Sequence, residues 1–281
     1  MVRRLPADCR SGRLIMQETL TLAWYLMRLR MRTRLQYRAA LVLAWVSQGF
    51  GYAGAFASLW IILTRFGGMG GWRWQDVALL LGFHTLGYAL GACFTFVQLR
   101  RMEEIVRDGE FDTLLTRPVN TWAFLSFSGF NIEYGSHVIL GVGLMAWALP
   151  KVAIDWSMLT LLQLVASLFS AALLTGAVIT SIGASALVLR RARYIFGIYF
   201  DFWELSRYPI TIFAAPLQFL LLSGLPFAYM AYVPVAALIG KPIPYLGDAA
   251  APAAVAVGPF AALIAAAFWR FTIRRYQRAG G

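Results

Sequence analysis

Charged residues are scarce in this 281-residue chain, at 14%, while apolar residues make up 60%. A soluble domain carries about a quarter charged residues. That shortfall, with a mean hydropathy of +0.65, excludes an ordinary soluble globular domain and points to an integral membrane protein. Segments of about ten residues alternating apolar and polar are missing, which argues against a β-barrel. Instead, several apolar runs exceed the roughly 18–20 residues that carry a helix across about 30 Å of hydrocarbon.

The absences also exclude chemistries. Only two lysines occur, Lys151 and Lys241, and neither stands in GxxxxGK[ST], the loop whose amides and lysine hold nucleotide phosphates. The chain is therefore not expected to bind ATP itself. Two histidines are too few for a zinc or haem framework without further ligands, and no serine sits in GxSxG. The two cysteines, Cys9 in the basic N-terminal stretch and Cys93 in an apolar run, suggest neither a disulfide nor a metal site. The opening "MVRRLPADCRSGRLI" has no apolar core before a small-residue cleavage site, so no cleaved signal peptide is expected. No metal and no catalytic residue is assigned.

What is abundant is arginine: 23 of 25 basic residues, giving a net charge of +12. No basic stretch lies on a segment that could fold in water, so nucleic acid is not an expected partner. Arginine here marks cytoplasmic loops and contacts with anionic lipid heads.

The chain reads as one domain, residues 1–281, all-α and embedded in the membrane. Residues 1–38 form a basic tail. Within it Leu20, Trp24, Met27 and Met31 share a helical face while Arg28, Arg30, Arg32 and Arg34 crowd the second half. Such a helix lies on the membrane surface, or extends the first span. Spans are read at residues 39–64, 77–98, 122–149, 158–188 and 249–269. Between 195 and 240 the prolines 216, 226 and 234 forbid one straight helix. Two layouts fit: a span at 194–213 followed by a re-entrant hairpin, or an interfacial 195–208 followed by a span at 210–232. Either makes six spans. Placing the N-terminus in the cytoplasm puts twenty of the 25 basic residues inside, so both termini are expected to be cytoplasmic.

Polar residues inside the spans need weighing. Glu133 and His137 are spaced i, i+4 and could pair, with Asn131 nearby; Asp201 precedes Glu204 and Arg207, which at i, i+3 could neutralise each other. Ionisable groups in lipid mark either a functional site or a structural pair facing the bundle. Gly87 and Gly91 form a GxxxG spacing, which permits close helix approach and could serve a dimer seam.

The charged insert at 99–121 stands apart. "LRRMEEIVRDG" reads as a helix, with Glu103 and Arg107 paired at i, i+4 and Gly109 as C-cap. Beyond it Phe111, Leu114 and Leu115 are apolar anchors and Pro118 ends the segment. Apolar residues framed by both charge signs suit a groove on a soluble partner; resting on the membrane surface is the alternative.

"RDGEFDTLLTRPVN" resembles the signature loop of ABC transporter permeases of the type-2 exporter class. The later "YPITIFAAPLQFLLLSGLPFAYMAYVPVAALIG" is similar to the proline-rich outer segment of the bacterial subgroup that pairs two dissimilar permeases with one separate ATPase. The resemblance implies that residues 20–34 form an interfacial connecting helix. It implies that Met102, Glu103, Ile105, Arg107, Asp108, Gly109 and Phe111 lie on a coupling helix seated in an ATPase subunit. Asp112, Leu114, Leu115, Arg117 and Pro118 match the signature itself, and 215–240 would be the outer re-entrant hairpin.

On this resemblance the chain is the membrane subunit of an ATP-driven exporter in the bacterial cytoplasmic membrane. Its partners would be two ABC ATPase subunits, which bind ATP and Mg, a second permease, identical or paralogous, and membrane lipids. Trp45, Phe50, Tyr52, Tyr199, Phe200 and Trp203 would line a path for a hydrophobic or amphipathic cargo. The competing classes are a membrane enzyme acting on lipids and a non-transporting assembly protein.

Overall fold

The computed structural model describes residues 9–65, 70–189 and 192–277, with side chains from residue 21 onward. The first eight residues, part of the Gly-rich loop (66–69), Arg190, Arg191, the C-terminal 278–281 and the side chain of Leu20 lie outside the described residues.

Among the described residues twelve α-helices follow in order: α1 Cys9–Gln36, α2 Arg38–Arg65, α3 Trp74–Arg100, α4 Met102–Arg107, α5 Glu110–Leu115, α6 Thr121–Ser128, α7 Gly135–Ala148, α8 Met158–Leu189, α9 Arg193–Leu205, α10 Ala215–Phe219, α11 Tyr232–Leu238 and α12 Ala250–Arg275. No strand occurs among the described residues. Five helical stretches, at Arg38–Arg65, Trp74–Arg107, Ile132–Lys151, Met158–Leu189 and Gly247–Arg275, are long and apolar enough to cross a membrane.

α3 is the central post. Its 27 residues span about 40 Å, more than the hydrocarbon core. Apolar burial drives little helix association in lipid, so backbones must approach closely through small residues. Gly82 of α3 meets the Gly141 backbone of α7, Gly91 meets Ala172 and Thr175 of α8, and Gly183 of α8 meets Leu99. Gly87 likewise faces Ala171 of α8. The GxxxG spacing therefore serves a seam within the chain and is not open to a second copy. On the far side of α8, Gly258 of α12 donates its backbone N–H to Ser170 Oγ at 2.9 Å. A Cβ at 258 would collide with the Ser170 backbone. α2 lies at the periphery, touching the start of α7 through Trp45 against Gly135 and Ser136 Oγ donating to Gln48 at 2.7 Å.

The third span departs from the expected continuous 122–149. α6 stops at Ser128, and a 3-10 turn at Ile132–Tyr134 precedes α7. Gly129 is pressed against Gln98, and Asn131 donates its N–H to the Cys93 carbonyl at 3.0 Å. The break is thus satisfied by α3 instead of by lipid, as buried irregular backbone must be. Asn131 Oδ1 accepts from Glu133 N at 3.0 Å and starts the turn.

Between α8 and α12 the contacts trace a path along α3. The start of α9 lies beside Glu103; Phe196 and Phe200 meet Phe96; Trp203 meets Tyr88; Ser206 Oγ lies 2.8 Å from His84 Nε2. Thr211 and Ile212 reach Gly70, before α3 begins. The chain then returns: Phe227 packs on Tyr199 and Phe202, and the Met230 carbonyl lies near Gly87. α11 carries it back to Trp72 through Tyr232 and to Gly71 through Lys241.

Candidate functional site

The charged insert is two short helices at an angle. Arg101 interrupts α3 and α4, and Gly109, at φ +73, turns the chain into α5; that left-handed conformation is the one a glycine C-cap provides. Pro118 follows α5, and Asn120 Oδ1 accepts from Ala123 N at 3.0 Å to cap α6. Gly109 and Pro118 therefore turn and stop the chain where the sequence predicts; the Asn120 cap was not expected.

The insert's inner face is welded to the bundle. Met102, Ile105 and Val106 are buried. Phe111 is fully buried, edge-on to Tyr276 and Trp269 at the end of α12, and Leu114 is buried too. Phe111 and Leu114 are thus core residues and not anchors offered to a partner. Leu115, Arg117 and Pro118 are exposed, together with Arg107, Asp108 and Glu110. The Asp112 Oδ1 oxygen is buried without a hydrogen-bond partner among the described residues.

Glu103 does not pair with Arg107. Its Oε2 accepts the backbone N–H groups of Ala192 and Arg193, each at 3.1 Å, so it closes the N-terminus of α9, where four amides lack helical partners. Arg107 bonds instead to Asp108 at 3.0 Å, which pushes its pKa up, and Arg101 pairs with Glu104 at 3.1 Å. The insert is thus bonded to α9 through Glu103 and packed on the end of α12 through Phe111.

The intramembrane polar residues separate. Glu133 pairs with Arg34 of α1 at 2.9 Å and with Asn131 Nδ2 at 3.3 Å, not with His137. His137 sits among the rings of Tyr52, Tyr88 and Tyr134 with Ser136 Oγ at 3.3 Å from its Nδ1. Glu204 and Arg207 form the expected ion pair at 2.9 Å, and the Arg207 guanidinium also lies 4.1 Å from the Trp203 ring centre. Asp201 is exposed.

Of the six aromatics expected to line a path, Trp203 is buried against Tyr88 of α3, Tyr199 is buried against Phe227, and Trp45 is packed on Gly135. Tyr52 meets His137 edge-on, and Phe50 is 75% exposed. Among them Phe200 borders an 830 Å³ cavity between α2, α3, α4, α7 and α9 at the insert's end of the bundle. Its wall also includes Gln48, Phe96, Arg100 and Phe196, which the sequence reading missed. Phe96 with Arg100, and Phe196 with Phe200, stand at i, i+4 on their helices, the spacing that could have revealed them.

At the opposite end of the bundle Asp76 is buried. It pairs with Lys241 at 3.3 Å and Arg73 at 3.6 Å, tying the chain before α12 to the start of α3. No cluster of three or more metal-ligating side chains occurs among the described residues.

The described residues thus form a helical, apolar bundle whose polar insert packs against the start of α9 and the end of α12. The chain matches the family model described as ABC-2 family transporter protein over residues 50–280, and it belongs to that family. It is accordingly the membrane permease component of an ABC transporter. No curated protein and no solved structure matches the chain.

Proposed function

We propose that the chain is the membrane half of an exporter in which two ABC ATPase subunits, binding ATP and Mg, drive two permeases, identical or paralogous, in the bacterial cytoplasmic membrane. In this reading the chain has no catalytic residue of its own. The insert is the coupling element: its exposed edge, Arg107 to Glu110 and Leu115 to Pro118, seats on the ATPase. The observation that carries this is the Glu103 bond to α9 together with Phe111 against α12, because a helix that only rested on a partner would transmit nothing. A ligand shifts inward- and outward-facing states only by binding one of them better, and the insert is the place where nucleotide-dependent motion enters.

Six crossings and cytoplasmic termini complete the proposal. α9 with the turn at Ile210–Ile212 supplies the sixth crossing, since its contacts run the length of α3. Residues 215–240 then form a hairpin entering from the outer side, supported by Phe227 and Met230 at mid-height and Lys241 back at Gly71. α1 is the interfacial helix: Trp24, Tyr25 and Leu29 are exposed among its arginines, as in helices that lie at the headgroup level. The cargo is hydrophobic or amphipathic.

The test is co-purification of an ABC ATPase from native membranes, followed by reconstitution. ATP-dependent movement of a lipophilic dye into vesicles, abolished by Arg107→Ala/Arg117→Ala, is the expected result. Activity of the chain with no ATPase present would overturn the reading.

A further inference from the structure

The 830 Å³ cavity is lined by charges of both signs. Three acids and four arginines border it. Each acid already has a partner: Glu103 holds two backbone amides of the α9 N-terminus, Glu104 holds Arg101, and Glu133 holds Arg34. Arg107 is bonded to Asp108.

That leaves Arg100 and Arg193, which face the space from α3 and α9. Neither has a carboxylate within ion-pair distance among the described residues. Arg100 instead spreads its guanidinium over the rings of Phe96 and Phe200, at 5.3 and 6.0 Å. A guanidinium on an aromatic face keeps N–H donors free at its edge, in a planar fork that matches carboxylate or phosphate oxygens. Beyond the arginines the walls become aromatic: Phe96, Phe196 and Phe200, then Tyr88 and Tyr134 at the deep end. The volume falls in the range of sites that enclose a whole small ligand.

We infer that this cavity binds an amphiphile with an anionic head, phosphate or carboxylate, held by Arg100 and Arg193, with its apolar part against Phe96, Phe196 and Phe200. A lipid of the adjoining leaflet and a free anionic amphiphile present the same chemistry. That the site is the entry for cargo rests on the transport reading; that it binds such a molecule does not.

The test uses the purified full chain in phosphatidylcholine nanodiscs, without ATPase or ATP, so that failure of the transport reading and failure of this one are distinguishable. The probe is 11-(dansylamino)undecanoic acid, whose fluorescence rises in an apolar site, with empty discs subtracted. Dodecyl phosphate should displace it; dodecyltrimethylammonium and inorganic phosphate should not. Arg100→Gln/Arg193→Gln should weaken probe binding at least about tenfold, the scale of losing a charge-assisted hydrogen bond. Arg73→Gln, which removes an exposed arginine at the opposite end of the bundle, should leave it within about twofold. Displacement by phosphatidylglycerol placed in the discs identifies a lipid ligand; displacement by soluble dodecyl phosphate alone identifies a free one. Equal competition by the cationic amphiphile, or unchanged affinity in the Arg100/Arg193 variant with its elution profile intact, overturns the inference. Should that variant misfold, Phe200→Ala supplies the second reading: it must weaken the probe while inorganic phosphate still fails to compete.

Discussion

The carboxylate of Glu103 accepts the backbone N–H of Arg193 at 3.1 Å, joining the insert to a helix far along the chain. The same oxygen takes the N–H of Ala192. A charge placed at a helix N-terminus meets the positive end of the helix dipole as well as unpaired amides, so the bond is directional and resists both pulling and twisting. In the proposed coupling, an insert anchored in this way would carry α9 with it.

Glu103→Ala should therefore separate docking from transmission. Losing an N-terminal cap costs about 0.5–2 kcal/mol, so the thermal midpoint in detergent should fall modestly. Co-purification with the ATPase should persist, because the exposed edge of the insert is untouched, while ATP-driven transport in vesicles should fall. Glu103→Gln, which keeps one oxygen acceptor, should lie between. Wild-type transport in Glu103→Ala would show the bond to be incidental.

Phe111 and Leu115 should behave oppositely although both belong to the signature segment. Phe111 is fully buried, and its truncation leaves a hole against Trp269 and Tyr276. Phe→Ala in a core costs about 3–5 kcal/mol, so Phe111→Ala should lose the folded peak in size-exclusion chromatography after mild heating. Leu115→Ala/Arg117→Ala removes exposed groups and should leave that peak in place while ATPase co-purification drops. If Phe111→Ala were as stable as the wild type, the assignment of the two faces would be wrong.

The contrast shows what a linear pattern can carry. Gly109 and Pro118 were legible, because turn chemistry is local. The long apolar runs were legible because hydropathy needs no partner. Periodicity, however, ranks only neighbours three or four residues apart. It paired Glu103 with Arg107 and Glu133 with His137, whereas the structure gives Glu103 to α9 and Glu133 to Arg34. Nor can a short amphipathic helix announce whether its apolar side meets its own chain or another, which is why Phe111 looked like an anchor. The break at residues 129–134 was hidden because a hydropathy window averages across it; Gly129 and Asn131, a helix stop followed by a cap, were its only local signs.

Orientation gives a prediction independent of any partner. With Cys9 and Cys93 replaced by serine and alanine, single cysteines at exposed Ala153 and Thr113 can be probed by a membrane-impermeant maleimide on spheroplasts. Ala153→Cys, in the loop before α8, should label at once. Thr113→Cys, on the insert, should label only after permeabilisation. The reverse pattern would place the insert outside the cell, out of reach of any ATP-hydrolysing partner.

The α8–α12 crossing should tolerate almost no added bulk. Gly258 is held so close to Ser170 that a methyl group there meets backbone atoms, which cannot rotate away. Its neighbour Pro259 already lacks an amide donor, so the helix cannot easily shift register to make room. Gly258→Ala should thus destabilise by about 1–3 kcal/mol, the cost of overpacking. Ser170→Ala removes the 2.9 Å hydrogen bond but adds nothing, and interhelical bonds in membrane proteins average about 0.6 kcal/mol. Gly143→Ala, at a position with open space around it, serves as the control and should match the wild type. The expected order of heat resistance in detergent is Gly143→Ala, then Ser170→Ala, then Gly258→Ala well below both. If Ser170→Ala proved the worst of the three, the seam would be held by its hydrogen bond and not by backbone proximity.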